Sequence, residues 1–247
     1  HSRTLRPHRP AMATSRPNTI AANPYSWPTD ATISPATTAL VLIDMQRDFC
    51  EPGGYLEQQG YDISATRAII PKLQRLLNAF RAAGFPVYHT REGHRPDLST
   101  LSTRELARSR NNPSGLGIGD AGPLGRLLVR GEGGHFTIHE LFPLELEPVI
   151  DKPGRGAFAH TDFELLLRLR GIKNLVIAGV TTDVCVSTTM REANDRGFDC
   201  LLVSDACAAA EPGLHDATVE SVRMEGGIFG ATAVCQDVVG VVEKSWR

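Results

Sequence analysis

The sequence is poor in the features that mark nucleic-acid-binding, membrane and secreted proteins. Its 26 Lys and Arg residues do not outnumber its 28 Asp and Glu residues, so no surplus of positive charge is available to neutralise phosphates. No apolar run approaches the roughly 20 residues that a membrane-spanning helix needs. The N-terminal stretch lacks the apolar segment of a secretory signal. These absences predict a cytoplasmic protein with no nucleic-acid partner and no membrane partner.

Cysteine is scarce and irregularly spaced. An odd count without a Cys-x-x-Cys pair excludes a zinc knuckle or a dithiol redox motif and indicates free thiols in a reducing compartment. We interpret Cys200 and Cys235 as strand residues, and Cys50 and Cys207 as loop residues that could be exposed. The five cysteines are Cys50, Cys185, Cys200, Cys207 and Cys235.

Proline interrupts the first part of the chain, from Pro7 to Pro35, and breaks any helix there. We therefore predict an extended arm over residues 1–36 and a single domain over residues 37–247. The apolar and aromatic residues at 23–28 admit two interpretations. They either pack on the body or on a neighbouring subunit, or they belong to a loose tail.

Beyond the arm, short β-rich runs alternate with amphipathic helical patterns. The run at 39–43 is apolar throughout, as expected for a strand that is covered on both faces. A glycine-rich stretch at 91–134 has no regular pattern. The alternation predicts a three-layer α/β/α domain with a parallel sheet. The predicted strands are 39–43, 86–90, 148–150, 175–179, 200–203 and 231–235, and the predicted helices are 64–83, 162–170, 184–195 and 215–224.

Polar residues follow three of the predicted strands directly. Asp44 follows the first strand, Asp151 and Lys152 follow the third, and Cys185 lies in the first turn of the helix after the fourth. Ligands of parallel α/β sheets bind beyond the carboxyl ends of the strands. We therefore expect these side chains to meet at one edge of the sheet.

Each of these residues has an ordinary alternative role. Cys185 could be an inert buried cysteine, Asp44 could cap a turn, and Lys152 could be a solvated surface lysine. However, a helix N-terminus and a nearby ammonium both favour a thiolate, and a carboxylate can accept the thiol proton. A thiol, a base and an orienting cation at one sheet edge are typical of acyl transfer.

Three separated motifs resemble the signature blocks of the isochorismatase-like cysteine hydrolase superfamily. They are Leu-Ile-Asp-Met-Gln-Arg-Asp-Phe at 42–49, Asp-Lys-Pro-Gly-Arg-Gly at 151–156 and Ala-Gly-Val-Thr-Thr-Asp-Val-Cys-Val at 178–186. The similarity extends from about Thr37 to Val239. It implies a six-stranded parallel sheet between helices and a catalytic triad of Asp44, Lys152 and Cys185.

The resemblance also implies a cis peptide bond between Val180 and Thr181. The backbone N–H groups of Thr181 and Cys185 are then expected to form an oxyanion hole. True isochorismatases lack the nucleophilic cysteine, so Cys185 argues against vinyl-ether hydrolysis. Nicotinamidases carry an Asp-x-His metal motif, which is missing around His89 and His94. We therefore expect no metal, and without a G-x-G-x-x-G motif after a strand we expect no organic cofactor.

Within the superfamily, the stretches at 52–55, 60–62, 89–97, 117–120 and 183–197 are most similar to biuret and triuret hydrolases. Ureidoacrylate hydrolases share the Gly-Gly-Tyr block but differ at 91–97. The resemblance implies hydrolysis of a terminal amide of a small linear ureide with release of ammonia. The alternatives are the same chemistry on ureidoacrylate, N-carbamoylsarcosine or a hydrazide, and a binding homologue without activity.

The same resemblance assigns the substrate pocket. Glu225 stands where biuret hydrolases carry Gln, and it either accepts N–H groups of a longer ureide such as triuret or only caps a helix end. The loop 114–120 is a further wall or lid element. A homo-oligomer, either a dimer or a tetramer, is expected. The substrate-binding residues implied by the resemblance are Phe49, Arg91, His94, Arg95 and Glu225.

Overall fold

The computed structural model describes residues 19–31 and 33–245. A six-stranded parallel sheet forms the centre of this part of the chain. The strands are β1 Thr38–Ile43, β2 Val87–Glu92, β3 Ala121–Gly122, β4 Gly125–Arg126, β5 Val149–Lys152, β6 Asn174–Val180, β7 Asp199–Ala208 and β8 Ala231–Ala233. The sheet order is β5-β2-β1-β6-β7-β8, and β3 and β4 form a separate antiparallel ribbon. The predicted α/β fold with six parallel strands is confirmed.

Helices connect the parallel strands and cover the sheet. They are α1 Arg47–Cys50, α2 Tyr55–Gln58, α3 Ser64–Ala68, α4 Ile70–Ala82, α5 Thr103–Ser109, α6 Phe163–Leu169, α7 Ser187–Asp195, α8 Pro212–Gly227 and α9 Cys235–Ser245. The central strands β1 and β6 are buried at every residue, as their apolar sequences require. None of the described helices is long and apolar enough to cross a membrane.

The chain changes direction across the sheet between β1 and β6. From β1 it proceeds through β2 to β5 on one side, and from β6 through β7 to β8 on the other. Such a reversal opens a crevice at the carboxyl ends of the two adjacent strands. Gly179 lies at this point with φ 122°, and a Cβ there would lie 2.2 Å from the carbonyl oxygen of Ile43. Only glycine allows the two strand ends to approach so closely.

The helix predicted at 64–83 is two helices, α3 and α4, separated at Ile69. The apolar spacing continues across the break, which explains the prediction of one helix. Pro71 follows the break, and its ring and missing N–H group are incompatible with a helix interior but suit a first turn. The prediction was therefore right about the buried face and wrong about continuity.

Three of the cysteine assignments were wrong. Cys207 lies inside β7, which is longer than predicted, and Cys235 begins α9 after the short strand β8. Cys50 ends α1. All five thiols are free and buried, so neither Cys50 nor Cys207 is exposed as the loop assignment suggested.

The described part of the N-terminal arm packs on the body of the same chain. Ile20 and Trp27 pair with each other through their backbones and are buried. Asn23 exchanges backbone hydrogen bonds of 2.9 and 2.8 Å with Thr232 in the edge strand β8. This pairing covers part of an exposed sheet edge. Residues 1–18 of the predicted arm lie outside the described residues, and the domain boundary at 36/37 stays a prediction.

Candidate active site

The carboxyl ends of the strands bring Asp44, Lys152 and Cys185 together. Lys152 Nζ lies 2.8 Å from Asp44 Oδ2, and neither side chain is exposed to solvent. Cys185 follows β6 and is 3 % exposed. Lys152 Nζ also donates to the carbonyl oxygen of Gly154 at 2.9 Å, which holds the ammonium against the loop after β5. The sheet edge therefore carries a thiol, a carboxylate and an ammonium out of contact with bulk water.

Asp44 is held in place by its neighbour strand. Thr90 Oγ1 in β2 donates to Asp44 Oδ1 at 2.6 Å. The backbone of Asp44 has φ 47°, a left-handed conformation that costs a non-glycine residue energy and persists only where its surroundings fix it. The strained turn ends β1 abruptly and directs the carboxylate to Lys152.

The segment that carries Cys185 begins earlier than the predicted helix. A π-helical turn over Thr182–Val186 leads directly into α7, and the carbonyl oxygen of Thr181 accepts from the N–H groups of Val184 and Val186 at 3.2 Å each. No side-chain cap occupies this start. The peptide bond between Val180 and Thr181 is cis, as the resemblance implied.

Glu92 is a site residue that the sequence analysis did not identify. The register of β2 and β5 pairs Glu92 with Lys152, and side chains of paired residues share one face. Glu92 Oε2 lies 3.7 Å from Lys152 Nζ and accepts from Cys185 Sγ at 3.2 Å. The thiol therefore meets a second buried carboxylate besides Asp44.

The backbone of Glu92 is fixed by a buried amide. The Glu92 N–H donates to Gln46 Oε1 at 2.7 Å, and Gln46 Nε2 donates to the Glu92 carbonyl oxygen at 2.9 Å. Gln46 also donates to the carbonyl oxygen of His135 at 3.1 Å. Because Gln46 is fully buried, this clamp fixes the backbone from which the Glu92 carboxylate projects.

The two carboxylates differ in their electrostatic environment. Burial raises the pKa of Asp44, although the ammonium of Lys152 opposes that shift. Burial acts on Glu92 in the same direction, but Lys152 and Arg155 together hold the pKa of Glu92 below its ordinary value. Two neighbouring carboxylates with opposite shifts are typical of divided roles, a proton acceptor and a permanently charged group.

The Cys185 thiol is protonated in the resting site. Burial raises the pKa of Cys185 well above its ordinary value; the ammonium of Lys152 opposes this rise, and the Asp44 and Glu92 carboxylates add to it. Burial alone would lower the pKa of Lys152, but Asp44, Cys185 and Glu92 raise it. Burial thus opposes the thiolate that the helix N-terminus and Lys152 are expected to favour, and Lys152 acts in the expected direction.

A cleft lies beside Arg155, which also approaches Glu92. Arg155 Nε lies 3.9 Å from Glu92 Oε1, and Arg155 Nη2 pairs with Glu105 Oε1 at 2.5 Å. Glu105 belongs to α5, whose N-terminus is capped by Ser102 Oγ, which accepts from the Glu105 N–H at 3.1 Å. Helix α5 lies within the stretch that the sequence analysis left irregular. The cleft is lined by Tyr55, Gln59, Glu105, Arg108, Ser109 and Arg155.

Two of the predicted substrate residues lie near this cleft. Phe49 is buried, and its ring packs edge-on against Tyr55 with a centroid distance of 6.2 Å. His94 is buried and shares a hydrogen bond of 3.2 Å between Nδ1 and Thr100 Oγ1. Its Nε2 has no hydrogen-bond partner among the described residues. Burial lowers the pKa of His94 although the Glu92 carboxylate opposes that shift, so the ring is neutral at neutral pH.

The structure does not bring the other predicted contacts to the triad. Arg91 pairs with Asp151 through Nε at 2.8 Å, on the sheet face opposite to Glu92 and Lys152. Arg95 is mostly exposed and lies 3.6 Å from Asp97. Glu225 is exposed at a kink in α8, with φ 54°. In the loop 114–120, Asp120 pairs with Arg110. The roles of these residues in substrate binding stay predictions.

The site also contains a set of groups that could ligate a cation. Ligand atoms of Asp44, Glu92 and Cys185 lie within 4.8 Å of one another. However, the ammonium of Lys152 already occupies the space between the two carboxylates and supplies the positive charge that they require. The donor set thus does not fit a divalent metal while Lys152 is in place, and metal independence stays a prediction.

Comparisons with known proteins agree with this architecture. Residues 38–234 match the model of the isochorismatase domain. Ureidoacrylate amidohydrolase RutB from Acinetobacter baylyi is 30% identical over 223 residues, with 86% of each chain covered. The same enzyme from Methylobacterium radiotolerans is 29% identical, covering 88% of this chain and 85% of that one. The crystal structure of a cysteine hydrolase from Pseudomonas syringae pv. phaseolicola is 26% identical and superposes with a TM-score of 0.73, covering 86% of this chain and 95% of that one. The chain belongs to the isochorismatase family of hydrolases.

Proposed function

We propose that this enzyme is a cysteine amidohydrolase that cleaves a C–N bond of a small ureido compound. The observation that carries the proposal is the position of the Cys185 thiol, 3.2 Å from one buried carboxylate and beside the Asp44–Lys152 pair. The curated relatives are named amidohydrolases, in agreement with the activity class predicted from the sequence. Cys185 is the nucleophile, Asp44 the base and Lys152 the supporting cation.

The environment of Asp44 suits the transfer of a proton. Because burial raises the pKa of Asp44, its carboxylate is a better proton acceptor than a solvated one. Asp44 takes the thiol proton while the sulfur attacks the substrate carbonyl, and it then passes that proton to the leaving amine. Water hydrolyses the resulting thioester, returning one proton to the sulfur through Asp44. Lys152 stays charged throughout and balances the charge that moves between Asp44 and Cys185.

The oxyanion that forms on attack needs donors on the far side of the carbonyl. The backbone N–H groups of Thr181 and Cys185 are the proposed donors, because they flank the turn from which the sulfur projects. Backbone donors in a turn that is fixed at both ends require no reorganisation during the reaction. Removal of one such donor in other acyl-transfer enzymes costs about 100- to 1,000-fold in rate.

Ureidoacrylate is the first candidate substrate. The two curated relatives described above are ureidoacrylate amidohydrolases, and each alignment covers more than four fifths of this chain. An anionic substrate of this kind needs a cation at the far end from the scissile carbonyl. Arg155 lines the cleft and lies 3.9 Å from Glu92, and its guanidinium can hold a carboxylate with two hydrogen bonds.

A neutral ureide such as biuret or triuret is the second candidate, and the pairing of Arg155 favours it. Lys152 is shared by Asp44 and Glu92, and Arg155 lies between Glu92 and Glu105. Arg155 is already engaged by Glu105 at 2.5 Å. A substrate carboxylate must displace Glu105, whereas a neutral ureide need not.

The decisive experiment is ammonia release from a panel of ureidoacrylate, biuret, triuret, N-carbamoylsarcosine and nicotinamide. The wild type is expected to release ammonia from at least one ureido compound and not from nicotinamide. Cys185→Ser, which preserves size and polarity, is expected to lose more than about 1,000-fold in kcat with unchanged circular dichroism. Undiminished activity of Cys185→Ser, or no release from any ureido compound, would overturn the proposal.

A further inference from the structure

The mechanism proposed for Asp44, Lys152 and Cys185 assigns no role to Glu92. It is the last residue of β2, its side chain is 4 % exposed, and its carboxylate lies between Cys185, Lys152 and Arg155. The Gln46 clamp fixes its backbone with two hydrogen bonds. A buried charge is costly unless it is paired and hydrogen-bonded, so a fixed carboxylate beside the nucleophile requires an explanation.

The two carboxylates differ in how much hydrogen-bonding capacity remains. Asp44 accepts from Thr90 and lies 2.8 Å from Lys152 Nζ, and it is fully enclosed. Glu92 Oε2 accepts from the thiol, whereas Oε1 lies 3.9 Å from Arg155 Nε, beyond hydrogen-bond distance. An ionised carboxylate offers about four acceptor positions and no donor. Glu92 can therefore accept a further N–H group at Oε1.

The position of the thiol decides which N–H groups can reach Glu92. A carbonyl carbon under attack by Cys185 Sγ carries its nitrogen substituent within a few ångströms of the sulfur. Glu92 Oε2 is 3.2 Å from that sulfur, so an N–H group on the reacting carbonyl lies within reach of the same carboxylate. When the thiol gives its proton to Asp44, the hydrogen bond between the sulfur and Glu92 is lost, and a substrate N–H group takes its place.

We infer that Glu92 is the substrate-anchoring carboxylate of this site, which accepts an N–H group attached to the scissile carbonyl and selects carbamoyl compounds that carry one. The inference rests on the proposed function and adds to it the chemical class of the reacting end. It divides the work of the two carboxylates: Asp44 moves the proton, and Glu92 orients the amide. Because an ionised carboxylate cannot donate, the site discriminates against esters and N,N-dialkylated carbamoyl groups.

The first test separates the charge of Glu92 from its contact with the substrate. Glu92→Gln removes a negative charge 3.2 Å from the sulfur, so the pKa of the thiol is expected to fall by at least about one unit. Inactivation by methyl methanethiosulfonate, a small reagent without N–H groups, measures this pKa from its pH profile. In the same variant, kcat/KM for the ureido substrate is expected to fall about 10- to 100-fold. A more reactive thiol with poorer hydrolysis is a combination that general loss of structure does not produce.

Glu92→Asp keeps the charge but withdraws the carboxylate by about one methylene. Its thiol pKa is expected to remain near that of the wild type, while kcat/KM for the ureido substrate still falls. Glu164→Gln, which changes a surface carboxylate that pairs with Arg196, is the matched control and is expected to alter neither measurement. Circular dichroism checks that all variants are folded.

The second test identifies the substrate group that donates a hydrogen bond to Glu92. Replacement of the N–H hydrogens on the scissile carbonyl by methyl groups is expected to cost the wild type and Glu164→Gln about 10- to 100-fold in kcat/KM, and Glu92→Gln much less. An equal methylation penalty in the wild type and Glu92→Gln would overturn the anchoring role while leaving the amidohydrolase intact. No ammonia release by the wild type from any ureido compound would overturn both.

Discussion

Lys152 Nζ and Asp44 Oδ2 form a 2.8 Å ion pair from which solvent is fully excluded. The desolvation of two such charges consumes most of their mutual attraction, so the pair adds little to stability in itself. The position of the ammonium is what matters, because Lys152 Nζ also lies 3.7 Å from Glu92. A single cation thus balances two carboxylates beside the nucleophile. The loss of Lys152 leaves both carboxylates without this cation, whereas after the loss of Asp44 the ammonium still faces Glu92.

Lys152→Met is therefore expected to destabilise the protein by about 3–5 kcal/mol, because it leaves the Asp44 and Glu92 carboxylates together without an ammonium. The double variant Asp44→Asn/Lys152→Met is expected to be more stable than Lys152→Met alone, since it removes one of the two unpaired charges. Denaturant unfolding at neutral pH measures both. Lys72→Met is the control: Lys72 pairs with Asp205 at 3.0 Å but is half exposed, so its loss is expected to cost no more than about 1 kcal/mol. Equal losses for Lys72→Met and Lys152→Met would contradict the buried-pair argument.

A second prediction concerns the pH dependence of the thiol. Since burial and two carboxylates raise the pKa of Cys185, the thiolate fraction is small at neutral pH and increases with pH. The inactivation rate of the wild type by methyl methanethiosulfonate is expected to rise about tenfold per pH unit from pH 7 to pH 9. The amount of reagent that Cys185→Ser takes up at each pH gives the background from the other four buried thiols. A rate that is constant between pH 6 and pH 8 would show that the resting site already holds a thiolate.

The parts of the site that sequence could predict are those that follow apolar strands. Asp44 and Lys152 come directly after buried runs, and Cys185 comes one turn after another, so strand ends locate all three. The sequence analysis did not identify Glu92, because the apolar pattern of β2 stops at Tyr88 and the strand was predicted to end at Thr90. The four polar residues that finish the strand pair with partners distant in sequence, which no local pattern reveals, and three of them are buried. These pairs are His89 with Glu147, Thr90 with Asp44, Arg91 with Asp151, and Glu92 with Lys152.

Other differences also have local causes. The spacing Ser102-x-x-Glu105 is a helix-start signature that would have located α5 and with it the partner of Arg155. Helix α9 was missed because its valines, at 238, 239, 241 and 242, are typical of strands as well as of buried helices. Packing against α4, far away in sequence, decides between the two.

A third prediction is that chelation leaves the enzyme unaffected. The position between Asp44 and Glu92 that a divalent ion would take is filled by Lys152 Nζ, and the pKa of this ammonium is raised by the surrounding negative groups. Dialysis against EDTA, followed by the ammonia assay, is expected to leave kcat and KM unchanged, and added zinc is expected not to stimulate the reaction. Loss of activity on chelation with recovery on zinc addition would show that the three potential ligands hold a metal.

The last prediction decides between the two candidate substrate classes. Arg155 can accept a substrate carboxylate only by releasing Glu105, to which it is paired at 2.5 Å. Glu105→Gln weakens that pair without touching the sulfur, so kcat/KM for ureidoacrylate is expected to rise about fivefold while that for biuret stays nearly constant. The quantity to measure is the ratio of the two kcat/KM values in the wild type and the variant. Glu132→Gln, which alters a comparable pair with Arg126 at 3.0 Å, serves as the control with an unchanged ratio. If Glu105→Gln leaves the ratio unchanged or lowers it, Arg155 does not receive a substrate carboxylate. A neutral ureide, which needs no cation, is then the better substrate.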